Sequence, residues 1–201
     1  MVVESDGLLD ESCLGAAPLP QDAVRVWLDT PRVDDMPDLV YLANNRKVAV
    51  NLLQQPFPFT TKDAKAIIER AECPDDGAAT FAIRMKATGR LIGLARYKSL
   101  DAGYSVHVGF WVGEPLWGNG FATEAVHALV DHAFTESQTE ELTAACRVTN
   151  AASRRVLVKS GFQYRDQSMI HSVGAGGTVP IERYSLDKSV WASLKAWGRM
   201  Q

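Results

Sequence analysis

Residues 108–125 read VGFWVGEPLWGNGFATEA, in which an apolar strand runs through a Pro-containing loop into two glycines one residue apart and then at once into a helical pattern. That order of parts suits an anion. Glycine lets a phosphate approach the main chain, and the amides of a helix's first turn, which lack intrahelical acceptors, face the charge together with the positive end of the helix dipole. A Gly-x-Gly before a helix also serves as a plain strand-to-helix turn, so the pattern alone does not specify a ligand. A nucleoside triphosphate loop is excluded because no Lys-Ser or Lys-Thr follows Gly120, and a dinucleotide fingerprint because its third glycine and downstream acid are missing. A different phosphate-bearing ligand is required.

The elements around this turn follow from periodicity. Val24, Val26 and Leu28 alternate with Arg25 and Trp27 as a first strand, and Thr30-Pro31 is the expected start of a helix carrying Met36, Leu39, Val40 and Ala43. Leu52, Leu53, Phe57 and Phe59 are broken up by Pro56 and Pro58 and read as a loop. Thr60 or Thr61 caps a helix with Ala64, Ile67, Ile68 and Ala71 at helical spacing. FAIRM, a turn at residues 87–90, LIGLARY and YSVHVGFWV form an antiparallel meander. In YSVHVGFWV alternation sets Ser105, His107, Gly109 and Trp111 on one face, against Val106, Val108, Phe110 and Val112. Beyond Gly120, the spacing of Ala122, Ala125, Val126, Leu129, Val130 and Ala133 predicts a helix lying on the sheet, with His127 and His132 facing solvent or neighbouring helices. A strand over residues 142–148 follows, then a helix capped by Asn150, lined inside by Val156 and Leu157, and ended by Gly161-Phe162. Strands near residues 164–171 and 179–186, joined by a glycine-rich turn at 174–177, precede a last amphipathic helix from Asp187.

Length and composition bound the whole. The chain has 201 residues, 46% of them hydrophobic and 22% charged, which suits a single domain over residues 21–201 after a flexible N-terminal lead over 1–20. A formal net charge of −3 with dispersed basic residues gives no footprint for nucleic acid and disfavours an anionic membrane. Cys13, Cys73 and Cys146 are odd in number and widely spaced, which points to reduced thiols rather than a disulfide framework or a zinc site. The acidic N-terminus lacks the basic start of a secretory signal and no apolar run reaches membrane-span length, so the expectation is a cytoplasmic protein.

Two motifs together carry a resemblance. WGNGFATEA is similar to the phosphate turn of the GNAT acetyltransferase superfamily, and NAASRRVLVKSGF resembles that superfamily's second cofactor motif, an Asn followed by a helix ending in Gly-Phe. The similarity covers about residues 22–186, and Trp117, Ser153 and the NLLQQPFPFTTKDA segment are similar to its RimJ/RimL branch, which includes ribosomal-protein N-terminal acetyltransferases. The resemblance implies an α/β (α+β) fold: a central twisted, mixed, mostly antiparallel sheet of about seven strands flanked by helices and splayed between the fourth and fifth strands. It implies acetyl-CoA as cosubstrate and no metal, while the sequence leaves both a monomer and a homodimer open. The pantetheine arm would fill the splay against backbone groups of Trp111 and Val112, and Trp117, Gly118, Asn119, Gly120, Phe121, Ala122 and Thr123 would hold the pyrophosphate. Asn150, Ser153 and Arg155, on the second motif helix, would face the arm or the adenosine end.

Direct acetyl transfer needs an amine freed of its proton, a polarised thioester carbonyl and an acid for the leaving thiolate. The tyrosine that serves as acid in many relatives is replaced here by Leu157, and the resemblance to the RimJ/RimL branch assigns the role to Ser153, which also sits in the first turn of a capped helix. His107 stands where related sequences often place a Glu that orders a water, and a histidine near pKa 6.5 can act as base at neutral pH. Glu182, where the branch often presents an acid to the acceptor, is the second base candidate, with an exposed strand carboxylate as the alternative. His171 and Tyr184 are further acceptor-side candidates. Trp27 and Trp111 read as core, and the PFPF loop as either core plug or acceptor rim. The implied reaction is acetyl transfer from acetyl-CoA to a primary amine, favouring a protein N-terminal α-amine. The alternatives are a small-molecule amine such as an antibiotic or polyamine, or a non-catalytic acyl-CoA-binding module.

Overall fold

The computed structural model describes residues 25–74, 77–100, 105–137 and 139–198. The N-terminal lead expected over 1–20 and Val24 of the first strand lie outside them. Strand β1 (Val26–Asp29) buries Val26 and Leu28 completely, as alternation requires. The helix expected from Thr30-Pro31 begins later. The chain stays extended through Arg32, makes a 3-10 turn over Val33–Asp35, and only then enters α1 (Met36–Ala43), with Pro37 in its first turn. The delay has a tertiary cause. Asp35 accepts from the Arg32 amide at 2.7 Å and from both Nη atoms of the buried Arg84 at 2.8 Å, while Asp29 takes Arg84 Nε at 3.0 Å. Burial works against the Arg84 charge, but these two carboxylates overcome it and raise its pKa.

A four-residue helix, α2 (Arg46–Ala49), capped by Asn45, is too short for periodicity to reveal. Helix α3 (Thr61–Glu72) starts on a capping box in which Thr60 and Asp63 exchange hydrogen bonds. Strands β2 (Ala78–Met85), β3 (Leu91–Leu100) and β4 (Ser105–Val112) then form the meander. Helix α4 (Phe121–Glu136), β5 (Glu141–Arg147), α5 (Ala151–Lys159), β6 (Gln163–Ser172), β7 (Gly177–Asp187) and α6 (Lys188–Gly198) complete the described chain.

The seven strands form one sheet in the order β1-β2-β3-β4-β5-β7-β6, antiparallel except for the parallel pair β4-β5. One face packs Ala82, Leu94 and Trp111 against α1, α2 and α3 through Leu39, Val48, Phe59, Ala64 and Ile68. The other packs Ile83, Ala95, Val106, Val108, Leu142 and Ala144 against Val126, Leu129 and Ala133 of α4 and Leu157 of α5. Trp111 is therefore core, Trp27 is half-buried, and the PFPF loop divides, Phe59 being core and Phe57 half-buried beneath the Arg46 guanidinium. No described helix is long and apolar enough to cross a membrane.

His127 is exposed, whereas His132, expected toward solvent or a neighbouring helix, is 1% exposed and wedged between Phe81 of β2 and Tyr97 of β3. The stripe of α4 is wide enough to carry the imidazole onto the sheet. Neither ring nitrogen has a hydrogen-bond partner among the described residues, and burial, opposed by the Glu136 charge, lowers its pKa. The unfolded chain therefore takes up a proton near the ordinary histidine value of about 6.5 that the folded chain refuses, so the titration of this site adds no cost above that pH and destabilises progressively below it. A His132→Leu variant is expected to lose less melting temperature than the native chain when pH falls from about 7 to about 5. Parallel curves in that titration would mean that His132 charges freely in the folded state.

Candidate functional site

Strands β4 and β5 pair only from Ser105–Glu141 to Val108–Ala144, and then part. Gly113 donates its amide to the Ile92 carbonyl at 2.9 Å, and since hydrogen-bonded pairs alternate in an antiparallel ladder, Trp111 and Gly109 likewise bond toward β3. Phe110 and Val112 consequently turn their peptide groups toward the opening. Of the two residues expected to offer backbone groups there, Val112 faces the opening together with Phe110, while the ladder with β3 occupies the Trp111 peptide group. The Val112 carbonyl is already met by the Trp117 indole Nε1 at 2.6 Å.

Beyond Val112 a 3-10 turn over Glu114–Leu116 delivers the chain to Gly118 and Gly120, both left-handed, at φ +78° and +86°. The turn is braced from outside by Arg25, missed in the sequence, which donates to the Asn119 carbonyl at 2.7 Å, grips the Glu124 carboxylate and lies over the Phe121 ring. Asn119 spends its side-chain amide on the Leu116 and Trp117 carbonyls at 3.1 Å, so it shapes the loop. Thr123 N–H is spent on the Gly120 carbonyl at 3.0 Å. The amides of Gly118, Asn119, Gly120, Phe121 and Ala122 have no acceptor among the described residues, an arrangement that suits an anion.

Below the turn, the opening between β4 and β5 widens into a cleft of about 410 Å³. It is lined by His107, Gly109, Trp111, Cys146, Asn150 and Ser153, and on the far side by the 51–56 loop, α3 and β3. His107 of β4 and Ser153 of α5, 46 residues apart in the sequence, are brought to the same cavity. His107 Nδ1 lies 3.2 Å from Thr143 Oγ1. The Thr143 hydroxyl also faces the Val106 carbonyl at 3.5 Å, and in the tautomer whose Nδ1–H donates to that hydroxyl the free lone pair falls on Nε2. Burial first, and then the Arg96 charge, lower the His107 pKa, so the ring is neutral at neutral pH.

Asn150 caps α5 by accepting the Ser153 amide at 3.0 Å, and this fixes its other atom as the nitrogen, which donates to Ser153 Oγ at 2.9 Å. An oxygen that accepts there is left with its own proton free for another acceptor. Cys146 beside it is buried and its thiol pushed up to about 11, so it is not a thiolate.

Glu182 stands apart from this cavity. Rather than an exposed strand carboxylate it is 7% exposed, held by Arg154 through two 2.8 Å bonds and by the Tyr184 hydroxyl at 2.8 Å, while Arg154 also reaches the Val148 carbonyl. This network ties α5 to β7. Burial, then the bond to Glu182, push Tyr184 up to about 12, so it stays a donor. Arg155 is exposed on α5, and His171 is exposed on the edge strand β6. Among the described residues, no group of three or more His, Cys, Asp or Glu is placed to hold a metal ion.

The fold is a mixed sheet opened between its one parallel pair, with an amide-rich turn leading away from the opening. The family model for the acetyltransferase (GNAT) domain matches residues 25–163, and the chain belongs to that family. It is 28% identical over 116 residues to an uncharacterized N-acetyltransferase, p20, of Bacillus licheniformis, covering 57% of this chain and 65% of that relative. Its fold is that of Mycobacterium smegmatis RimJ, solved in complex with CoA-disulfide, at TM-score 0.72 and 22% identity over 87% of this chain and 90% of that one. RimL, a ribosomal L7/L12 α-N-protein acetyltransferase solved with coenzyme A, superposes at TM-score 0.70 and 15% identity, over 84% of this chain and 98% of that one.

The two glycines of the turn differ in a testable way. A Cβ at Gly118 would meet open space, whereas one at Gly120 would come within 3.1 Å of Arg25 Nη2. Gly118→Ala is expected to cost about 1 kcal/mol from backbone strain alone, and Gly120→Ala more, as read by urea unfolding. Equal costs would mean that Arg25 does not press on the turn.

Proposed function

We propose that the chain transfers the acetyl group of acetyl-CoA to a primary amine, with a protein N-terminal α-amine as the favoured acceptor. The observation that carries this reading is the opening of β4 from β5, with unpaired peptide groups along one edge, free amides above and His107 and Ser153 below. Acetyl-CoA is supported by the Phe110 peptide group and the Val112 amide, which suit a pantetheine arm laid as a strand, and by the five amides of residues 118–122, which suit its pyrophosphate. Arg155, exposed on α5, is the candidate to meet the nucleotide end. The α-amine preference is supported by the sequence motifs of the RimJ/RimL branch and by the likeness of the fold to RimJ and RimL.

The bound cosubstrate supplies the activated acetyl group. His107 Nε2 takes the proton of the incoming amine, directly or through a water, as its nitrogen bonds to the thioester carbon. Ser153 gives its hydroxyl proton to the departing sulfur as the C–S bond breaks, and Asn150 holds the hydroxyl in that orientation. Glu182 acts through Arg154 on the position of α5 rather than as a base, since both of its oxygens are engaged.

Acetyl-CoA is expected to raise the melting temperature, as any ligand selective for the native state does. In thiol-release assays with peptides and small amines, Ser153→Ala is expected to lower kcat about 100-fold with little change in the KM for acetyl-CoA. The acid limb of kcat/KM should lie below the ordinary histidine value of 6.5 and disappear in His107→Gln. Turnover of small amines alone would remove the N-terminal reading, and unchanged rates in both variants would remove the assigned acid and base.

A further inference from the structure

The chain is acidic overall, yet its cleft is not. Elsewhere arginines find carboxylates: Arg84 with Asp35, Arg90 with Asp38, Arg154 with Glu182 and Arg183 with Asp166. In the cleft, Arg70 of α3 and Arg96 and Lys98 of β3 have no such partner among the described residues. The one carboxylate that lines the cavity there, Asp63, is occupied by the Thr60 amide at 2.8 Å and hydroxyl at 2.5 Å. Arg96 is positioned without being neutralised, because its Nη2 donates to the amide oxygen of Gln54 at 3.0 Å. Its Cα partner on β4 is Gly109, where a Cβ would lie 3.5 Å from Arg96 Nε, so the missing side chain clears the ground over which the guanidinium lies. Lys98 is the partner of His107 itself. The cleft walls, followed by the Arg70 charge, press the Arg96 pKa below its ordinary value although the side chain still meets solvent at the mouth. A guanidinium so placed, without a carboxylate partner among the described residues, has N–H donors to spare for an anion.

Resting on the acetyltransferase reading above, we propose that the acceptor carries an anionic group, a carboxylate or phosphate close to its reacting amine, which Arg96 binds with Lys98 and Arg70 adding to the field. An amine drawn in by such a group reaches His107 in positive surroundings that favour loss of its proton. A polycationic amine is repelled from the same place. For a protein acceptor this means an acidic residue directly behind the N-terminal one. For a small molecule it means an amino acid rather than a polyamine.

The test compares kcat/KM for three peptides that begin with serine followed by two glutamates, two glutamines or two lysines, and for β-alanine against putrescine. The glutamate peptide is expected to exceed the glutamine peptide roughly tenfold, with the lysine peptide lowest and the gap closing at high salt. Arg96→Gln should bring the glutamate and glutamine peptides to within about twofold and Arg96→Lys should restore part of the gap, both variants being checked for native melting and acetyl-CoA thermal shift. A preference for the anion only among the small amines supports anion recognition and removes the N-terminal acceptor. Turnover that is indifferent to charge in every set overturns anion recognition while the acetyltransferase reading stands, and a preference that survives Arg96→Gln overturns the role of Arg96.

Discussion

When two strands of a sheet separate part-way along their length, the peptide groups on the facing edges lose their partners at the depth where water is scarce, and each unpaired group carries a free-energy cost. In this protein the separation falls between β4 and β5 beyond Val108 and Ala144, and much of the surrounding structure answers to it. Trp117 returns its indole N–H to the Val112 carbonyl, which relieves one orphan and anchors the loop that leads to the glycine turn. The turn is held from behind by Arg25, so that its free amides converge above the same opening. The remaining peptide groups along β4 define a third edge that only an extended ligand can pair.

The walls of the opening are built from opposite faces of the sheet. On the α5 side, Arg154, Glu182 and Tyr184 form a closed network whose charges cancel, and its consequence is rigidity: the helix that carries Asn150 and Ser153 is tied to β7. On the α3 side the charges do not cancel. The Arg96 charge bears on the neutral His107, whose Nδ1 lies 3.2 Å from Thr143 Oγ1, and Lys98 and Arg70 stand nearby without carboxylate partners among the described residues. A neutral amide, Gln54, does the positioning that a carboxylate does elsewhere in the molecule. The two sides thus divide the labour between holding a geometry and choosing what enters it.

Most of the local structure was legible in the sequence, because it depends on residues close to one another along the chain. The alternation in YSVHVGFWV set His107 on the face that lines the cleft, Asn150 and Gly161 bounded α5, and the Gly-x-Gly spacing marked a turn whose two glycines both adopt positive φ. What contiguous pattern could not express were partnerships across the fold. Arg25 meets Glu124 from 99 residues away, and Arg154 meets Glu182 from 28 away, so Glu182, a base candidate with an exposed strand carboxylate as its alternative, is found as a buried brace. The alternation of LIGLARYK already set Arg96 and Lys98 on one face of a strand, but only the β3-β4 register placed them beside Gly109 and His107.

By itself, then, the sequence determined the elements, their order, and the two motifs that belong to an acetyltransferase, since turns, caps and periodicity are short-range properties of the chain. Tertiary structure alone decided where the sheet parts, which peptide groups are left without partners, and which charges are neutralised. Those outcomes depend on strand register and helix placement, which arise from packing the whole chain at once.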